Sequence, residues 1–171
     1  ASVNAAAGAV EPFLSALRTL ARIFFSLNWQ DLPEYFEDHL AEWMKFHSDF
    51  LGFTCPAIDR NAIDEEASAV ERLQSALIEN VALYAEKYEE EFAKHMPGFT
   101  QQIWKLLGQV RPVPRYDPVV TTALRFLTSA VKKPWNKQLF AQPGFLKAIC
   151  ETVVIPGLRL RDEDEENFED N

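Results

Sequence analysis

The side chains with the most versatile chemistry in this 171-residue chain are three histidines, His39, His47 and His95, and two cysteines, Cys55 and Cys150. A di-iron carboxylate site would need Glu three residues before its histidines, and those positions hold Phe36, Met44 and Phe92. A His-Glu-x-x-His zinc motif is absent too. His39 and His47 lie about two turns apart on the apolar side of one helix, where they could bind a metal or switch with pH. The same placement suits two partly buried imidazoles with ordinary hydrogen-bond partners. Glu89, Glu90 and Glu91 read as a solvated face rather than an acid–base pair. Ser, Cys and His show no arrangement that marks a nucleophile. Neither the phosphate loop G-x-x-x-x-G-K-S/T nor the dinucleotide fingerprint G-x-G-x-x-G occurs. The four tryptophans read as fillers of core gaps. No catalytic, metal or cofactor set is expected.

The elements that would position these groups are helices. The stretch SLNWQDLPEYFEDHLAEWMKFHSDFLGF, residues 26–53, shows the pattern. On a helical wheel Glu37, Asp38, Ala41, Glu42, Lys45, Ser48 and Asp49 share one arc of about 140°. Tyr35, Phe36, His39, Leu40, Trp43, Met44, Phe46, His47, Phe50 and Leu51 fill an arc of about 180° opposite. That apolar face is wider than one core contact needs and predicts a helix touching neighbours on more than one side. Asp31 is its expected N-cap and Gly52 the residue just past its end.

Five other helices are expected. The first covers residues 12–27, opened by Pro12, with residues 1–10 an N-terminal extension. The third starts near Asp64, with Val70, Leu73, Leu77, Val81, Tyr84 and Tyr88 as a seam. The fourth opens at Pro97, turns Phe99, Ile103, Leu106, Leu107 and Val110 inward and breaks at Gly108. The fifth has Asp117 and Pro118 as N-cap and first residue, and a stripe of Val120, Ala123, Leu124, Leu127, Ala130 and Val131. The sixth covers residues 143–155 and stops at Pro156–Gly157. No segment alternates as a strand does. The helices group as pairs at about 11–53, 64–110 and 117–157, a spacing near that of HEAT repeats. An all-α solenoid and a compact six-helix bundle both fit this periodicity.

Apolar residues make up 47% of the chain, so it folds rather than staying disordered. A net charge of −9 disfavours nucleic acid and suits basic partners. No apolar run approaches a membrane span, so membrane insertion is not expected. Neither cysteine sits in a CxxC pair; two reduced thiols of a cytosolic or nuclear protein are expected, with a disulfide left open. Residues 158–171 carry seven acids and two arginines, a net of −5. This acidic tail is either a solvated linker or a loop that attracts a basic protein surface, with Phe168 as an anchor.

Several segments carry a family resemblance. SLNWQDLPEYFEDHLAEWMKFHSDFL, ENVALYAEKYEEEFAKHMPGFTQQIWKLL, RYDPVVTTALRFLTS and FLKAICETVVIPGLRLRDEDEENFEDN resemble, in order, segments of the CAS-type exportins, the importin-α re-exporters of the importin-β superfamily. Residues 53–61 and 132–142 depart from the family, and Gly157 stands where it usually has Asn. The resemblance implies an internal piece, about three helix pairs, of a much longer HEAT superhelix. It implies a non-enzymatic transport receptor that binds importin-α together with Ran-GTP and shuttles between nucleus and cytoplasm. In the family the second helix of each pair lines the inner surface. That implies partner contacts for Glu37, Asp38, Glu42, Gln101, Gln102, Lys105 and Lys147, and for Asp162, Glu163, Asp164, Glu165 and Glu166 of the tail. A helical-repeat scaffold without a Ran link is the alternative, and a small-molecule-binding bundle or enzyme a third reading. The isolated piece is expected to self-associate through exposed repeat ends.

Overall fold

The computed structural model describes residues 2–59, 63–133, 140–141, 144–159 and 161. Its helices are α1 (Ser2–Asn28), α2 (Glu34–Asp38), α3 (Leu40–Leu51), α4 (Pro56–Asp59), α5 (Ala69–Lys87), α6 (Glu89–Phe92), α7 (Met96–Leu107) and α8 (Asp117–Val131). A 3-10 turn, Pro114–Tyr116, precedes α8. The last helix is composite: α9 (Phe145–Ile149), a π segment (Cys150–Val154) and α10 (Ile155–Gly157). Among the described residues there is no strand.

Several boundaries differ from the sequence expectation. α1 begins well before Pro12, because the alanine-rich run ahead of it is a strong helix former. Pro12 and Gly8 are exposed, so water can meet the Gly8 carbonyl that Pro12 cannot serve. The second expected helix is two helices broken at His39. Its ring stacks on Tyr35 at 4.4 Å, with Nδ1 2.9 Å from the Tyr35 carbonyl oxygen, so a side chain competes for a backbone acceptor. Pro33, not Asp31, is the N-cap of α2, with no side-chain cap bond. Gly52 has φ −84°, so it is not a left-handed cap. A Cβ there would stand 3.2 Å from Gln102 Nε2, a tight approach to which the Gln102 side chain would have to yield.

α5 starts at Ala69 rather than Asp64 because Ser68 and Glu71 form a reciprocal capping box. Asp117 is the first residue of α8 rather than its cap. The buried stripe of α8 is also rotated: Val119 and Phe126 are buried and Val131 is 44% exposed. The last helix passes through Pro156 by way of the π segment, which sequence did not suggest. The 134–139 and 142–143 parts of the connector lie outside the described residues.

Two rows of helices result. α5 packs between α1 and α8, and α3 contacts α7 as well as α5. α5 and α8 run side by side in the same direction: Ser75, in the first half of α5, meets Pro118 at the start of α8, and Glu89, just past α5, meets Lys133, just past α8. α5 is enclosed on nearly every side, with Leu77, Ile78, Val81 and Tyr84 at 0–1% exposure. The expected seam of the third helix is therefore the middle of the fold. Successive helix pairs stacked in this way form a HEAT-type solenoid, not a bundle around one closed centre.

The rings of residues 26–53 divide between neighbours. Phe36, Leu40, Met44, His47 and Leu51 are buried, while Trp43, Phe46 and Phe50 are half-buried along one flank. Phe24 of α1 is the hub. Its centroid lies 5.2 Å from Phe36, 4.9 Å from Trp43, 4.9 Å from His47 and 5.6 Å from Tyr84 of α5. Aromatic pairs of this kind are each worth roughly 0.5–1.5 kcal/mol beyond the area they bury. Of the other described tryptophans, Trp104 packs against the core as expected and Trp29 does not. Trp104 is half-buried, and Trp29 is 54% exposed, stacked on Phe25 at 5.3 Å beneath the Lys87 ammonium.

Candidate partner-binding surface

Six of the twelve expected contact residues stand on α2, α3 and α7. Glu37 and Asp38 on α2, Glu42 on α3, and Gln101 and Lys105 on α7 are exposed. Lys147 on α9 is exposed and lies 3.7 Å from Glu151 one turn on. Asp162, Glu163, Asp164, Glu165, Glu166 and Phe168 lie outside the described residues. Gln102 differs from the others. Its Nε2 donates to the Ser48 carbonyl at 2.7 Å, and its Oε1 accepts from the Ser48 hydroxyl at 3.1 Å. This side chain fastens α7 to α3 and is half-buried.

The Gln102 bridge divides the α3–α7 groove into two recesses. One, of about 350 Å³, is lined by Met44, Lys45, Ser48, Lys94, His95 and Phe99. The other, of about 250 Å³, includes Leu51, Gln74, Gln102, Lys105 and Leu106. The exposed side of these helices carries both signs, with Lys45 paired to Asp49 at 2.5 Å on α3 and Glu37 and Asp38 exposed on α2. Such a surface suits a mixed-charge protein partner more than a small ligand.

His39 and His47 are structural. His47 is fully buried; its Nδ1 lies 2.7 Å from the Trp43 carbonyl and its Nε2 3.0 Å from Asn80 Nδ2. Nδ1 must donate to the carbonyl, so Nε2 accepts from Asn80 and the ring is neutral. Burial drives its pKa down to about 4, against a smaller upward pull from the Trp43 carbonyl. Asn80 also donates to the Ala21 carbonyl at 2.9 Å, and Tyr84 donates to Asn28 Oδ1 at 2.8 Å. His39 is held by Tyr35 and does not meet His47. Among the described residues no group of three or more His, Cys, Asp or Glu is placed to hold a metal. Cys55 is buried and Cys150 exposed, and both are free thiols.

Sequence reasoning missed a second polar cluster. Arg115, in the 3-10 turn, is 3% exposed and donates from one terminal nitrogen to Asp59 and to Glu71, each at 2.6 Å. Its backbone N–H donates to the Asp64 carbonyl at 2.8 Å, and Arg111 makes two bonds to the Asp64 carboxylate. Burial alone would raise the Glu71 pKa, but hydrogen bonds from Arg115 and Ser68 outweigh it and hold the carboxyl below its usual range. The one available signal was an arginine inside RPVPRYDP, which reads only as a turn.

Comparison with known proteins agrees with this architecture. The family model described as Cse1 matches residues 2–171. Exportin-2 of Xenopus laevis is 42% identical over 164 residues, covering 96% of this chain and 17% of its own length. Exportin-2 of Homo sapiens is 41% identical over 170 residues, with the same coverages of 96% and 17%. A solved structure described as the exportin Cse1 in its cargo-free, cytoplasmic state superposes with a TM-score of 0.90 at 30% identity. That match covers 96% of this chain and 18% of the other. The chain thus spans about a sixth of the length of these relatives. With the family model matched from residue 2 to residue 171 and the same helical stacking in a solved relative, this chain belongs to the Cse1 family of exportins.

Proposed function

We propose that this chain is part of a nuclear export receptor that binds importin-α cooperatively with Ran-GTP and returns it from nucleus to cytoplasm. The observation that carries the reading is the match to Exportin-2 sequences along nearly the whole chain. The solenoid supports it physically. Small changes of angle between layers add up along such an array, so two partners that favour one curvature bind cooperatively. No catalytic step is assigned to these residues. The repeat units are read as about residues 11–53, 64–110 and 117–157, with the acidic segment 158–171 as the start of an insertion. Glu37, Asp38, Glu42, Gln101, Lys105 and Lys147 are read as facing partners, and Gln102 as supporting them.

The test uses the full-length receptor. Its affinity for importin-α is measured by calorimetry with Ran loaded with GTP and then with GDP. A gain of at least about 10-fold with the GTP form is expected, a coupling of roughly 1.4 kcal/mol. Equal affinity would defeat the export reading and favour a helical-repeat scaffold without Ran linkage. Charge reversal of Glu37, Asp38 and Glu42 to Lys should slow association with a basic partner surface. An unchanged association rate would remove these three residues from the contact surface.

A further inference from the structure

The groove between α3 and α7 runs against the charge of the chain. The chain carries 26 acids and a net charge of −9, yet neither recess of the groove has a carboxylate in its lining. The lining ammonium groups are those of Lys45, Lys94 and Lys105. Lys45 pairs with Asp49, whereas Lys94 and Lys105 are exposed and make no ion pair among the described residues. The bridge between the recesses, Gln102 to Ser48, is polar and uncharged. The larger recess is lined by buried Met44 and Phe99, at 2% and 3% exposure, and Gly98 leaves it open, since a Cβ there would meet nothing within 4 Å. His95 lines it too, and its Nε2 is buried with no hydrogen-bond partner.

Two unopposed ammonium groups in a groove without acids make a local positive field on an acidic protein. Gly98 and Lys105 lie seven residues apart on α7, so the apolar recess and the second lysine share one face, roughly 10 Å apart. About three residues of extended chain cover that distance. A small anion would engage one lysine and leave the apolar recess unfilled; a peptide strand can use both. We propose that the α3–α7 groove is a docking site for an acidic peptide segment of a partner protein, its carboxylates against Lys94 and Lys105 and one apolar side chain in the recess beside Met44 and Phe99. The apolar side chain anchors the segment by burial, and the lysines select it by charge and speed its arrival. The orphaned nitrogen of His95 is a further group that an entering polar atom would satisfy. This inference does not rest on the transport reading.

The test follows a fluorescein-labelled peptide, Glu-Glu-Phe-Ser-Glu-Glu, by fluorescence anisotropy on the 171-residue chain in low salt. Saturable binding that weakens as salt is raised is expected, and its absence overturns the proposal. Lys94→Glu with Lys105→Glu should weaken binding by at least about 10-fold. Arg22→Glu with Arg125→Glu, the same charge change at exposed sites on the first row, should alter it by less than about 2-fold. Equal losses in the two double variants would mean attraction to net charge alone and no site. Gly98→Leu fills the recess without changing charge. It should weaken the peptide by about 10-fold and leave a version with Ser in place of Phe unaffected. Equal effects on the two peptides would remove the apolar anchor and with it the proposal. If the peptide binds only after Asp162, Glu163, Asp164, Glu165 and Glu166 are changed to Asn or Gln, the occupant is the acidic segment of this chain, from the same or a second copy, and the partner assignment falls.

Discussion

α5 meets its two neighbours in different ways. Toward α1 and α3 the seam is made of rings and directional bonds: Phe24 against Tyr84, Tyr84 to Asn28, Asn80 to both His47 and the Ala21 carbonyl. On the other side α8 buries mainly aliphatic side chains, Val119, Ala123, Leu127 and Ala130, together with Phe126 and Thr122, and the polar ties of that seam lie toward its ends, Arg115 to Glu71 and Lys133 to Glu89. Directional bonds fix register residue by residue, since a slipped helix leaves buried donors and acceptors unpaired. Aliphatic contact rewards burial with little regard to offset. One helix thus joins a seam rich in buried directional bonds to a seam with few of them.

The largest expected effect attacks the ring seam at its hub. Phe24→Ala removes a fully buried ring that touches four others and should destabilise the chain by about 3–5 kcal/mol in urea unfolding. A loss below about 1 kcal/mol would mean that the rings do not organise this seam.

Acid should find the same seam. His47 is neutral when folded, with a pKa near 4, and protonates near 6.5 when unfolded. Its contribution is therefore complete above pH 6.5 and is lost as pH falls from 6.5 toward 4, by up to about 3 kcal/mol. Its neighbours Phe24, Phe46, Asn80 and Trp43 carry no charge to oppose the change. His95, whose pKa burial also lowers, adds in the same direction. Glu71, at the edge of the other seam, acts at lower pH, because a depressed carboxylate loses its stabilising charge only as pH falls through its folded pKa. Thermal melting followed from pH 7.5 to 4.5 should fall most steeply below 6.5. His47→Leu should flatten that slope; an unchanged slope would assign it elsewhere.

A finer probe of directionality is Asn80→Leu. It leaves His47 Nε2 without its donor and should cost about 1–3 kcal/mol, independent of salt. Removing both partners, in Asn80→Leu with His47→Leu, should cost less than the sum of the single changes. Strict additivity would show that the bond is not felt as a pair.

How much of this was legible in the sequence follows from what burial does to a pattern. Val70, Leu73, Leu77, Val81 and Tyr84 are periodic because a whole helix face is buried, so the α5 seam was readable. The extra width of the α2–α3 face was readable for the same reason, and it announced two neighbours. Asn80 was not readable, since a lone Asn on a helix gives no sign that its partner is a histidine 33 residues away. Gln102 looked like surface because glutamine usually is, and only its two bonds to Ser48 show it turned inward. Arg115 hid in a turn, where sequence explains its neighbours and not its own charge. The break at His39 follows from a side chain competing for the Tyr35 carbonyl one turn back, and the π segment is a change of helical pitch; a hydrophobic period encodes neither.

The smallest effect tests the other seam. Lys133 pairs with Glu89 just past the far ends of α8 and α5, with side chains 18% and 33% exposed. A pair so close to water is worth at most about 1 kcal/mol. Lys133→Met keeps the aliphatic stem and removes the charge, so the loss in low salt should be small and should vanish as salt is raised. Asn80→Leu should show no such salt dependence. Were Lys133→Met to cost as much as Asn80→Leu and to ignore salt, the α5–α8 seam would be held by directional contacts like its counterpart, and the contrast between the two sides of α5 would collapse.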